Sequence, residues 1–122
     1  MNLDRKLLAF AGFNGVMAVS LGAFAAHGAA PEIKALLTTG GHYQMVHAAL
    51  AAVLALFATS RLLRMAGWLA GAGGLIFCLS LAAVGLLSLP VMGAVAPVGG
   101  VLMIAGWALL VFAAFLSNPP RT

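Results

Sequence analysis

The residues of this chain that are able to do chemistry are few and lie close together: His27, then His42-Tyr43-Gln44, then His47. On a helix, Tyr43 and His47 are i, i+4 neighbours and Gln44 and His47 are i, i+3 neighbours, so these three share a face. His42 sits about 140° round from His47, which sets the two apart as joint ligands on one regular helix. His27, at the end of the preceding apolar run, is expected to approach that face across a helical hairpin. Two readings stand side by side. Imidazoles titrate near neutral pH and bind metals, so His27 and His47, with Gln44 or Tyr43, could form a proton relay or a metal site. The same groups could instead form an interhelical hydrogen-bond network, because a polar side chain in hydrocarbon is costly unless paired. The second reading is preferred: two histidines are too few for a metal centre, and no carboxylate stands by to orient them. Asn14 and His42 are secondary candidates, Asn14 as glue between helices.

Other chemistries find no support. Asp4 and Glu32 are the only acids and fall on opposite sides of the expected membrane, so no carboxylate pair can form. Ser20, Ser80 and Ser88 lack triad partners. Cys78 is the single cysteine, which excludes an intrachain disulfide, and it reads as a small packing residue. Met17, Met45, Met65, Met92 and Met103 are too dispersed for thioether copper binding. A CxxCH motif is lacking, and His27 with His47 is the only pair worth testing for heme. The expectation is therefore no catalytic residue, no cofactor, no resident metal and no enzymatic activity.

These side chains must be held by elements that live in lipid. The chain has 122 residues, of which 64% are hydrophobic and 7% charged, and its mean hydropathy is +1.14. A water-soluble domain of this size could not hide that much apolar surface, so the bilayer is its solvent. The net charge of +4 comes from scattered basic residues with no aromatic stacking platform, which argues against nucleic acid as a partner. A bilayer core about 30 Å thick needs about 20 helical residues per crossing. Four runs qualify: Leu7 to about Ala29, Gly41 to about Ser60, Met65 to about Leu89, and Pro97 to about Leu116. They are long and continuous rather than alternating, which makes them helices and excludes a β-barrel. Arg5 and Lys6 before the first run look like the start of a secretory signal, but the run is too long for a signal core and reads as a retained first helix.

Arg5, Lys6, Arg61, Arg64 and Arg121 fall on one side of this arrangement and only Lys34 on the other. The positive-inside rule then puts both termini in the cytoplasm. Pro31 to Leu37, with Gly40 and Gly41 after it, predicts a brief outer interfacial helix between spans one and two. The link Pro90 to Ala96 is too small for a domain. A shift of 59 residues aligns Arg5 with Arg64, Gly12 with Gly71, Gly15 with Gly74, Pro31 with Pro90, Gly40 with Gly99 and Gly41 with Gly100. The expectation is a single four-helix domain over 1–122, a parallel repeat of two hairpins, about 1–61 and 62–122. The repeat leaves Asn14, His27, Tyr43, Gln44 and His47 opposite apolar residues or glycine, so the first hairpin holds the polar chemistry. Helices in lipid associate where small residues let backbones approach. Gly67, Gly71 and Gly74 on span three, with Gly15 and Gly22 on span one, are the expected packing glycines. Trp68 and Trp107 read as anchors or packing residues that mark no site.

Gly22-Ala23-Phe24-Ala25-Ala26-His27-Gly28, then Tyr43-Gln44-Met45-Val46-His47-Ala48, then Pro97-Val98-Gly99-Gly100 followed by Gly106-Trp107, carry a resemblance. Over nearly its whole length the chain resembles the YgdD-like family, related to eukaryotic transmembrane protein 256, a domain of unknown function. The family's GAFGAHG segment has Ala25 here in place of its second glycine, which questions any need for a bare backbone there. The resemblance implies a compact four-helix protein of the bacterial inner membrane and no particular activity. It also implies that His27, Tyr43, Gln44 and His47 coincide with signature positions. Taken together, the sequence predicts a non-enzymatic inner-membrane protein that self-associates or serves a larger membrane complex. The alternatives are a small transporter or proton-coupled carrier with a His/Tyr/Gln site in the outer half, and a lipid- or quinone-binding protein.

Overall fold

The computed structural model describes residues 3–116, so Arg121, counted above as a topology signal, lies outside the described residues. It is all-helical: α1 (Arg5–His27), α2 (Pro31–Phe57), α3 (Arg61–Leu86), a 3-10 turn (Pro90–Ala94) and α4 (Ala96–Leu116). Asp4 caps α1, its carboxylate accepting from the Leu7 amide at 3.1 Å. Ser60 caps α3, accepting from Leu63 at 3.2 Å, so each of these two helices starts on a side chain that satisfies an orphan amide. Helix α3 ends through Ser88 in the left-handed region at φ 52°. The Leu89 amide then returns to the Ala83 carbonyl at 3.2 Å and closes the helix end.

Three segments are long and apolar enough to cross a membrane: Arg5–His27, Arg61–Leu86 and Pro90–Leu116. Helix α2 falls short of that apolarity because His42, Tyr43, Gln44 and His47 interrupt it. It also differs from the expected layout. No separate interfacial helix exists between α1 and α2; Pro31 opens a single helix of 27 residues that runs unbroken through Gly40 and Gly41. The two glycines do not stop the helix because they serve close packing instead. A Cβ on Gly40 would stand 3.2 Å from the Cys78 Cα of α3, and one on Gly41 would stand 3.2 Å from the Ala18 carbonyl of α1.

Helix α3 is the central element, packed against α2 on one side and α4 on the other, with α1 lying mainly on α2. Its glycines point both ways. Gly67, Gly71 and Gly74 meet Leu7, Phe10 and Gln44 of α1 and α2, as expected. Gly73 faces α4, where it opposes Gly99 so closely that a Cβ on either would lie within 2.7 Å of the other's carbonyl oxygen. Gly106 repeats the device about two turns further along α4, against the Ala66 carbonyl. Gly15 and Gly22 behave differently from the expectation: a Cβ on either would meet nothing within 4 Å. Gly22 nonetheless offers its backbone to Gly41, whereas Gly15 faces open space.

Candidate functional site: a polar layer at mid-height

Four polar side chains lie at one level of the bundle. Gln44 is the central residue of α2, Asn14 and Trp107 fall within two residues of the centres of α1 and α4, and Gly74 at the middle of α3 leaves them room. Asn14 and Gln44 are fully buried, at 0% exposure each. Their orientation follows from one fixed acceptor. The Phe10 carbonyl can only accept, so it takes the Asn14 amide nitrogen at 3.0 Å. Asn14 Oδ1 is thereby turned to α2, where it accepts from Gln44 Nε2 at 2.9 Å. Gln44 Oε1 stays buried with no donor from the described residues.

His47 is governed by the same logic. The Tyr43 carbonyl, 2.6 Å from Nδ1, can only accept, so Nδ1 carries the proton. The Trp107 indole can only donate, and its Nε1 lies 2.9 Å from Nε2, so Nε2 is bare. The two contacts select one tautomer of the imidazole, with both nitrogens engaged. A metal at Nε2 would have to displace the indole. The rings meet edge to face at 5.9 Å and 77°. The bond spans 60 residues and ties α2 to α4 across the flank of α3.

Tyr43 stacks on His47 at 6.4 Å and 17° and meets Phe77 of α3 edge-on at 5.1 Å. It is half exposed at 51% and lines, with His47, Phe77, Gly100 and Trp107, a groove of about 430 Å³ between α2 and α4. His42 is exposed and borders, with Tyr43, Val46 and His47, a second hollow of about 310 Å³.

His27 does not join this layer. The α1–α2 register sets Asp4 beside Ala55, Asn14 beside Gln44 and Ala18 beside Gly41, which brings His27 level with the first turn of α2. His27 and His47 are then about 22 Å apart along the helices at 1.5 Å per residue. The expected approach fails because α2 begins at Pro31, ten residues earlier than the run starting at Gly41. The same early start moves Tyr43, Gln44 and His47 from the outer half of a span to the middle of the bundle. Among the described residues no group of three or more His, Cys, Asp or Glu side chains could hold a metal ion.

Residues 21–100 match the family model described as a protein of unknown function, DUF423. The chain is 37% identical over 124 residues to the UPF0382 membrane protein of Haemophilus influenzae strain Rd, covering 95% of this chain and 98% of that one. It is 37% identical over 108 residues to the UPF0382 membrane protein of Staphylococcus aureus strain bovine RF122, covering 84% and 88%. The chain belongs to the DUF423 family. This places it among small bacterial membrane proteins of unknown function, as the motifs around His27 and Tyr43 to His47 imply. No solved structure matches it. In this DUF423 chain the matched segment holds Gln44 and His47 but stops short of Asn14 and Trp107, the partners of both. Trp107 is the residue that sequence reasoning passed over. Its signal was there: an indole N–H in the middle of an apolar helix needs an acceptor, and the 59-residue shift sets Gly106 opposite His47.

Proposed function

We propose that this DUF423 protein is a non-enzymatic inner-membrane protein that crosses the bilayer four times and acts by association with a second copy of itself. The polar layer is then an internal clasp: Asn14–Gln44 joins α1 to α2, and His47–Trp107 joins α2 to α4. What supports the clasp is that both His47 nitrogens are consumed by partners of fixed role. A carrier site shared by His27 and His47 would have to bridge the distance the helix register puts between them. If all four helices span, the layer sits near the bilayer midplane, where an unpaired polar group is most costly. That cost explains why α2, polar at its centre, can cross in company with α1, α3 and α4.

The observation that carries association is the outer face of α1 and α2. Leu8, Ala11, Gly12, Gly15, Met45 and Ala52 border an open groove of about 430 Å³, and a Cβ on Gly12 or Gly15 would touch nothing within 4 Å. These glycines are not used inside the bundle, and in lipid such bare backbone is where helices approach one another. The expected result is a dimer by native mass spectrometry of the protein released from lipid nanodiscs. Gly15→Leu should shift it to monomer while leaving its thermal unfolding unchanged. A wild-type monomer at every protein-to-lipid ratio would remove the association reading.

The two hairpins are read as a parallel repeat. Gly40 and Gly99, equivalent under the 59-residue shift, both press on α3, at Cys78 and at Gly73 respectively. Arg5, Lys6, Arg61 and Arg64 share one end of the bundle, with Lys34 at the other, so both termini face the cytoplasm on this reading. Reporter fusions after Thr122 and before Met1 should both report the cytoplasm; opposite sides would mean an odd number of crossings.

A further inference from the structure

Among the described residues, the end of the bundle opposite Lys34 has an excess of positive charge with little to balance it. Helices α1 and α3 both begin there, and neither has an acidic residue in its first turn. Their first turns instead carry Arg5 and Lys6, and Arg61 and Arg64, cations set on the positive ends of two helix dipoles. That placement is unfavourable unless an anion is near. Among the described residues the one carboxylate at this end, Asp4, already accepts from the Leu7 amide as the α1 cap.

The same side chains border two adjoining hollows. One, of about 520 Å³, is lined by Leu3, Asp4, Arg5, Lys6 and Arg64. The other, of about 350 Å³, is lined by Asp4, Arg61, Arg64, Met65 and Trp68. Arg64 and Asp4 form the wall between them. Arg64 Nε is buried and has no acceptor among the described residues, so its guanidinium gains by turning its Nε–Nη edge to an anion in either hollow. A planar guanidinium engages two oxygens of a phosphate at once. Met65 and Trp68 give the second hollow an apolar wall on its bilayer side, with Trp68 stacked on Phe10 at 5.1 Å.

We propose that this two-lobed basic hollow binds a phosphate group, with Arg64 between the lobes and Arg5, Lys6 and Arg61 around it. The chemistry is shared by an anionic phospholipid headgroup and by free phosphate, and the test separates them. The full chain is reconstituted in nanodiscs holding equal amounts of phosphatidylglycerol and phosphatidylcholine, and lipids retained after ejection are read by native mass spectrometry. Wild type should retain phosphatidylglycerol selectively. Arg61→Gln with Arg64→Gln should lower that retention about thirtyfold relative to wild type, while Lys34→Gln at the other end leaves it unchanged. Millimolar inorganic phosphate that displaces the lipid would assign the hollow to phosphate in either form, and no displacement would assign it to the lipid. Should the double variant not fold, Arg5→Gln with Lys6→Gln, which border the first lobe alone, must still lower retention. Equal retention of the two lipids by wild type, or retention unchanged in a folded variant of either pair, overturns the proposal.

Discussion

Replacing Gly99 with alanine will destabilise the bundle by about 3 kcal/mol, whereas the same change at Gly100 will leave it within about 0.5 kcal/mol of wild type. The neighbours differ only in what they face. A Cβ on Gly99 would stand 2.6 Å from the Gly73 carbonyl oxygen and 2.6 Å from the Phe77 amide, atoms of the α3 backbone that cannot rotate away. To admit it, α4 must move off α3, and that movement would stretch the Trp107–His47 hydrogen bond and open the contact between Gly106 and Ala66. A Cβ on Gly100 would meet nothing within 4 Å, and alanine is the better helix former, which offsets any small loss. Gly73→Ala should match Gly99→Ala, because its Cβ would fall 2.7 Å from the Gly99 carbonyl and the Met103 amide. Denaturation of the purified protein in mixed micelles, followed by loss of helical circular dichroism, would measure all three. Equal midpoints for Gly99→Ala and Gly100→Ala would show that α3 and α4 do not approach this closely.

The second large effect concerns the buried amides and has an unequal signature. Asn14→Leu should cost about 2 kcal/mol, because it strands the Gln44 amide nitrogen in a fully buried place while Gln44 Oε1 still lacks a donor among the described residues. Gln44→Met should cost less, about 1 kcal/mol or below. It leaves Asn14 Oδ1 without its donor but removes Oε1 at the same time, and methionine fills a similar volume. With both changes together the polar pair is gone from both helices, and stability should return to within about 1 kcal/mol of wild type. The double-mutant cycle therefore yields a coupling of opposite sign to the loss from Asn14→Leu. Additive losses in the double variant would show that the two amides do not depend on each other.

Both effects rest on contacts between residues far apart in the chain, and that bears on how much of the protein was legible before its structure was seen. The small-residue stripe Gly67, Gly71, Gly74 could be read directly, because three glycines at helical spacing in an apolar run have few uses other than close packing. Gly73 could not be separated from them: a helix with glycine on two faces has two neighbours, and only the position of α4 says which glycine serves which. The polar cluster was legible as a cluster, since Tyr43, Gln44 and His47 share a face by spacing alone. Its depth was not, because Pro31 and the Gly40-Gly41 pair carry the signals of a short helix and its stop. Those local signals lose to tertiary contact when a glycine's missing side chain is filled by a neighbouring backbone.

Composition and periodicity alone determined that this chain is helical and lives among lipids. With 64% hydrophobic residues its runs have no other solvent, and in hydrocarbon a backbone must satisfy itself. Only the tertiary structure decided which polar groups meet. Asn14 and Gln44 are 30 residues apart, and His47 and Trp107 are 60 residues apart. The pairing, and with it the tautomer of His47, follows from the register in which the helices pack. Register is set by glycines on neighbouring helices acting together, so no single stretch of sequence contains it.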